Sequence, residues 1–145
     1  MPQDPAYEAK VRESFGRQNH MTTLGAAIEF LAPGEAHVSL PFASRFCQQN
    51  GFMHAGAIAS VADSANGYAA YTLAPPETDV LAVEFKINLL RPAVGDRLSA
   101  EAVVLKEGRT LTICQSTIRA HAADRVTTVA VMMQTNMRMR AAVGT

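Results

Sequence analysis

QQNGFMHAGAIASVADSANGYAAYTL, residues 48–73, is the stretch whose reading decides the fold. Ala55, Gly56, Ala57, Ala59, Ala62, Ala65, Gly67, Ala69 and Ala70 give a helix almost bare of bulk, which other backbone can approach closely on every side. Ile58, Val61, Ala65, Tyr68 and Thr72 form its bulkier side, while Ser60, Asp63, Ser64 and Gly67 share the other at helical spacing. A stripe of this kind on an ordinary surface helix faces water. On a helix of such small residues it predicts a wrapped element, with Asp63 turned toward a crevice or a second subunit.

The segments around the helix supply the wrapping. Asp4-Pro5 opens a short helix carrying Tyr7, Val11 and Phe15 at every fourth position. Residues 23–31 and 35–42 read as two strands about the turn Pro33-Gly34. After Pro75-Pro76, DVLAVEFKINLLR alternates, placing Leu81, Val83, Phe85, Ile87 and Leu89 on one face and Ala82, Glu84, Lys86 and Asn88 on the other. Three more strands follow, DRLSAEAVVLKE, RTLTICQSTIRAH and RVTTVAVMMQTNMRM, with turns at Gly108 and at residues 122–124. Two strands, one long helix and then an antiparallel meander predict an α+β fold, with one sheet face covered by the central helix.

Composition narrows the function classes. The 145 residues hold 13 Lys and Arg against 13 Asp and Glu, so nothing favours a nucleic acid or an anionic membrane as the general partner. Cys47 and Cys114 fit neither a metal spacing nor a disulfide framework, and His20, His37, His54 and His121 show no paired helical spacing for a metal. There is no Gly-x-Ser-x-Gly elbow and no glycine-rich phosphate loop. Cys47 with His54 suggests a thiol nucleophile, but a small structural cysteine is far commoner. The charged N-terminal segment and the lack of a long apolar run predict a cytoplasmic location without a membrane span.

QNGFMHAGAIASVADSANGYAAYTL, with VEFKINLLRPAVGD and KEGRTL downstream, closely resembles the hotdog-fold acyl-CoA thioesterases of the phenylacetic-acid-degradation (PaaI-like) family. The resemblance runs from about Cys47 to Met137. It implies one hotdog domain over residues 1–145, with a short N-terminal helix at about 5–19 and a core at about 22–139. In that fold a curled antiparallel sheet wraps the central helix, and the active site forms between two subunits. The implied assembly is therefore a homodimer or a dimer of dimers, the latter a homotetramer. The implied substrate is an acyl-CoA, with no separate cofactor, no metal and neither nucleic acid nor membrane as partner.

Carried over position by position, the resemblance implies a catalytic set of Asp63, Gln48, His54, Ala55 and Gly56. Asp63 is the general base or nucleophile, and the Ala55 amide polarises the thioester oxygen. Gln48 orients the water or the carbonyl. Asn50, Arg91, Lys106, Gly108, Arg109 and Thr110 are the implied substrate-binding positions. Gln48 stands where many members have Asn, Ala55 where many have Gly, and Ala82 where some relatives carry a hydroxyl that holds the water.

Helix geometry supports part of this set. The first N–H groups of the helix and the positive end of its dipole suit a developing oxyanion. Nine residues at about 1.5 Å and 100° each set His54 and Asp63 roughly 13 Å apart and half a turn out of phase. They cannot act as a dyad within one helix, so His54 is read as orienting the loop that enters it. Water attack and direct attack by Asp63 to a mixed anhydride both remain open. So do a hydratase or dehydratase on the same fold and a non-catalytic acyl-CoA-binding module. The acyl group is not readable from the sequence.

Overall fold

The computed structural model describes residues 1–141. Helices α1 (Tyr7–Gly16) and α2 (Asn19–Leu24) precede β1 (Ala27–Ala32) and β2 (Glu35–Pro41). A 3-10 turn at Ser44–Phe46 leads to the long helix α3 (Ala55–Tyr71), and then β3 (Thr78–Leu89), β4 (Arg97–Glu107), β5 (Leu111–His121) and β6 (Val126–Arg140) follow. The six strands form one antiparallel sheet in the order β1-β2-β4-β5-β6-β3. It is an α+β hotdog arrangement, a curved, unclosed sheet around a central helix.

The sheet admits the helix because its inner face is lined by small residues where α3 crosses. Ala36 on β2, Ala100 and Ala102 on β4 and Ala120 on β5 are buried, as are Ala62, Ala65 and Ala69 on the helix. Val38, Leu40, Val61, Ile118, Val129 and Met132 fill the remaining space. Close approach raises the number of dispersion contacts per side chain, which compensates for the small apolar area of each alanine. α1 adds Val11, fully buried against this core, and the N-terminal segment thereby becomes part of the domain.

The N-terminus differs from the sequence expectation. Instead of one helix over about 5–19, α1 ends at Gly16 and a second helix ends at Gly25, whose φ of 74° is left-handed. The strand expected from Thr23 therefore begins at Ala27. Asp4 is not the capping residue of α1. Its Oδ1 accepts from the Ala6 amide at 2.9 Å and its Oδ2 pairs with Lys10 at 3.1 Å.

The alternation expected along β3 is also broken. Ala82 pairs with Asn136 and Glu84 with Thr135, which leaves Val83 as the extra residue of a bulge. Opposed residues of an antiparallel pair point to the same side. Ala82 faces buried Asn136, Phe85 faces buried Gln134, Ile87 faces Met132 and Leu89 faces Ala130, so all four point inward. Leu81, opposite Met137, is put on the outer face instead of sharing a side with Phe85. β3 is an edge strand, and its inward Phe85 and Leu89 remain 48% and 52% exposed because α3 lies over the middle of the sheet.

Candidate active site

α3 starts at a cap built from two turns of the preceding loop. His54 is the N-cap residue, and its Nδ1 accepts from the Gly56 amide at 2.8 Å. Its carbonyl accepts from the Ala57 and Ile58 amides at 2.9 and 3.2 Å, and its own N–H is donated to the Phe46 carbonyl at 2.8 Å. A Cβ at Gly56 would lie 3.0 Å from the imidazole Nδ1, so glycine at this position leaves room for the ring to fold back. Of the first four helical N–H groups, three are thereby satisfied. Ala55 is the exception: its N–H has no partner among the described residues and the residue is exposed.

Gln48 lies beside this free amide. Its side-chain Oε1 accepts from the Asn50 backbone N–H, closing a short loop with the Gly51 amide, which donates to the Gln48 carbonyl at 3.0 Å. Gln48 and Ala55 line one cavity of about 360 Å³ with Phe52, Ile58, Leu89 and Arg91. Asn50 is exposed, and it enters the structure through its backbone rather than its side chain.

Asp63, two and a half turns along the helix, lines a separate cleft of about 390 Å³. Ser14, Gln18, Tyr68, Ala82, Gln134 and Asn136 contribute to its wall. The carboxylate is half-buried, and loss of hydration raises its pKa above the ordinary aspartate value. A single side-chain donor opposes this: Gln134 Nε2 donates to Asp63 Oδ1 at 3.0 Å. Ala82 brings no hydroxyl to the cleft, and the side-chain donor on the carboxylate comes from β6. Within one chain, then, the structure separates Asp63 from the Gln48, His54, Ala55 and Gly56 group.

The cationic positions are separated as well. Arg91 lies at the helix-start end and donates to the Thr128 carbonyl at 3.1 Å. Gly108 and Arg109 line the opposite end with Arg138 and Arg140, in a cleft of about 600 Å³. Thr110 is anchored there by its carbonyl, which accepts from the Arg138 amide at 2.8 Å. Ten residues of β6 separate Thr128 from Arg138, about 34 Å at strand rise. One nucleotide cannot touch both ends of one chain. Lys106 is exposed on β4 next to a register shift after Val104.

The residues that sequence reading missed are polar ones buried between the helix and the sheet. Gln134, Asn136, Ser116 and Asn66 are each at most 1% exposed. Asn66 Nδ2 donates to Ser116 Oγ at 2.9 Å, and Gln134 Nε2 donates also to Asn136 Oδ1 at 2.9 Å. The signal was the phase of β6: Ala130, Met132, Gln134 and Asn136 alternate together, which places two amides on the apolar face. Cys114, with its thiol pushed up to about 12 by burial, accepts from Asn136 Nδ2 at 3.5 Å and is inert as a nucleophile. No group of three or more His, Cys, Asp or Glu side chains suited to a metal occurs among the described residues. Among them, too, no helix is long and apolar enough to cross a membrane.

Similarity to known proteins agrees with the fold. Residues 50–126 match the thioesterase superfamily. The structure superposes on a thioesterase family protein of Silicibacter pomeroyi with a TM-score of 0.91 and 45% identity, covering 93% of this chain and 99% of the other. The Escherichia coli PaaI protein of the phenylacetic acid degradation operon shares the fold, with a TM-score of 0.85 at 22% identity over 96% of this chain and 97% of that one. A Saccharolobus solfataricus protein named provisionally as an esterase is 29% identical over 105 residues, 72% of this chain and 69% of its own.

Proposed function

The chain belongs to the thioesterase superfamily and is a thioester hydrolase, and from that premise we propose that it cleaves an acyl-CoA at a site shared by two copies of itself. The observation that carries this reading is the position of the two half-sites along one edge strand. The Asp63 cleft borders Val80, Leu81 and Ala82, and the Ala55 cavity borders Leu89 and Leu90. An antiparallel β3–β3 pair with its two-fold near Phe85 sets residues 80–82 of one copy against 88–90 of the other. Asp63 of one subunit then meets the helix start of its partner. The same pairing covers the unpaired edge and the exposed inner faces of Phe85 and Leu89.

In this site the thioester oxygen accepts from the free Ala55 N–H at the positive end of α3. Asp63, ionised but poorly hydrated, takes a proton from water as the water oxygen bonds the carbonyl carbon. The tetrahedral intermediate collapses, the C–S bond breaks and the coenzyme A sulfur leaves with a proton returned from Asp63. The net reaction consumes one water and gives the free acid and the free thiol. No cofactor enters, since coenzyme A is part of the substrate. Gln48 adds an amide beside the carbonyl, and His54 acts through the cap that aims the Ala55 amide. Direct attack by Asp63 gives the same products through an anhydride. Arg109 and Arg140, at the end of the sheet opposite Arg91, offer charge for the nucleotide phosphates, Arg138 beside them being paired with Glu107. A screen of acyl-CoA thioesters with a free-thiol reagent tests the reading; release of no thiol from any of them would refute it.

A further inference from the structure

We infer that Gln134 is the positioning residue of the reacting carboxylate, presenting Asp63 to the cleft with one oxygen tied and the other free. The inference rests on the reading of Asp63 as the group that attacks or activates water. Gln134 is 1% exposed on the inner face of β6, at a position where its neighbours on the same face are Met132 and Asn136. Its NH2 has two hydrogens and two close side-chain acceptors, Asp63 Oδ1 at 3.0 Å and Asn136 Oδ1 at 2.9 Å. The same nitrogen lies 3.4 Å from the Asp63 carbonyl. Gln134 Oε1 has no partner among the described residues.

This arrangement admits one orientation of the amide. Turned over, Oε1 would face two acceptor oxygens in a water-poor setting, which is repulsive on both sides. Asn136 Nδ2 is directed to the Cys114 sulfur at 3.5 Å, with its Oδ1 toward Gln134. The row Cys114, Asn136, Gln134, Asp63 therefore ends in a Gln134 N–H donated to Asp63 Oδ1. Oδ2 has no partner among the described residues and is the oxygen left to approach water or the thioester. A buried glutamine with an orphaned acceptor is costly on an apolar strand face, where methionine would fill the space. Its position is accounted for by the carboxylate it holds.

The other titratable groups of the cleft are Tyr68 and Tyr71 on α3 and Asp79 on β3; α1 and the residues after it contribute only Ser14 and Gln18, and β6 only Gln134 and Asn136. Both tyrosines have pKa values raised by burial and stay neutral in the acid range. Gln134 is the side-chain donor on Asp63 that favours its ionised form against burial.

The test compares Gln134→Met, which keeps the volume and removes the donor, with the wild type in two measurements. The first is the pH titration of the Asp63 carboxyl carbon by 13C NMR, assigned with Asp63→Asn and needing no substrate. The second is the acid limb of kcat/KM for the best-cleaved acyl-CoA of the screen. We expect both midpoints to move up together by about one pH unit, with about a tenfold loss of rate on that limb. Gln134→Leu likewise removes the donor, so it moves both midpoints in the same direction and serves if the methionine variant does not fold. An unmoved carboxyl titration in a folded variant overturns the inference, leaving Asp63 as base untouched. A moved titration with an unmoved rate profile overturns instead the reading of Asp63 as base, and the positioning role falls with it. A merely structural Gln134 would lower the melting temperature and move neither midpoint.

Discussion

Replacing Asp63 by Asn separates chemistry from architecture in a single atom. The amide keeps the volume and keeps Oδ1 as acceptor for Gln134 Nε2 at 3.0 Å, so the β6 row stays intact. What is lost is the ability of the second oxygen to take a proton, and kcat should fall by about 10²–10⁴. Stability should change in the opposite direction. The carboxylate is held half out of water with one side-chain donor, and burial raises its pKa. A group with a raised folded pKa binds more protons folded than unfolded, so its charged form opposes folding as pH rises above the unfolded value of about 3.8. Removing that charge should add about 0.5–2 kcal/mol at neutral pH, or roughly 2–4 °C in Tm for each kcal/mol in a chain of this size. The gain should fade as pH falls through about 4 and vanish at about pH 3, where both states of the wild type are protonated. Thiol release under saturating substrate and Tm across pH 3–8 are the assays. Near-normal turnover, or a loss of activity that tracks a fall in Tm, would refute the reasoning.

Three further outcomes follow from the geometry. Arg109→Ala should raise KM for acyl-CoA by about tenfold with kcat little changed, the loss expected for one charge-assisted phosphate contact; a short pantetheine thioester should be insensitive, and equal loss on both substrates would mean a structural role. His54→Ala should cost about 0.5–2 kcal/mol as a lost N-cap, whereas His54→Asn, a good capping residue, should recover both Tm and most of kcat; an inactive but stable His54→Asn would make the imidazole a catalytic group. Light scattering at micromolar concentration should give at least a dimer, and a fully active monomer would disprove the shared site.

Much of the site was legible because helix periodicity is local. The spacing from Ser60 to Gly67 placed Asp63 on a stripe apart from the bulky face, and the nine-residue offset kept His54 from pairing with it in one helix. The cap followed from the same loop, with His54 at the N-cap and the Ala55 N–H left free. Errors arose where pairing between distant segments overrides local pattern. Leu81, Val83 and Phe85 alternate perfectly as written, yet the bulge at Val83 puts Leu81 and Phe85 on opposite faces. No spacing within β3 signals that bulge; it is defined by the partners on β6.

The sequence by itself determined the wrapped helix, the antiparallel meander and the stripe on which Asp63 stands, since these depend on side-chain size and periods of two and 3.6 residues. Tertiary structure alone decided what stands beside Asp63. Gln134 lies 71 residues away in the chain and reaches the carboxylate only because β6 runs beneath α3. It also decided that Arg91 and Arg109 occupy opposite ends of the sheet, and that the Asp63 cleft and the Ala55 cavity both border the edge strand β3. Side-chain chemistry is a property of each residue, but electrostatic environment and reach are properties of the neighbours that folding supplies.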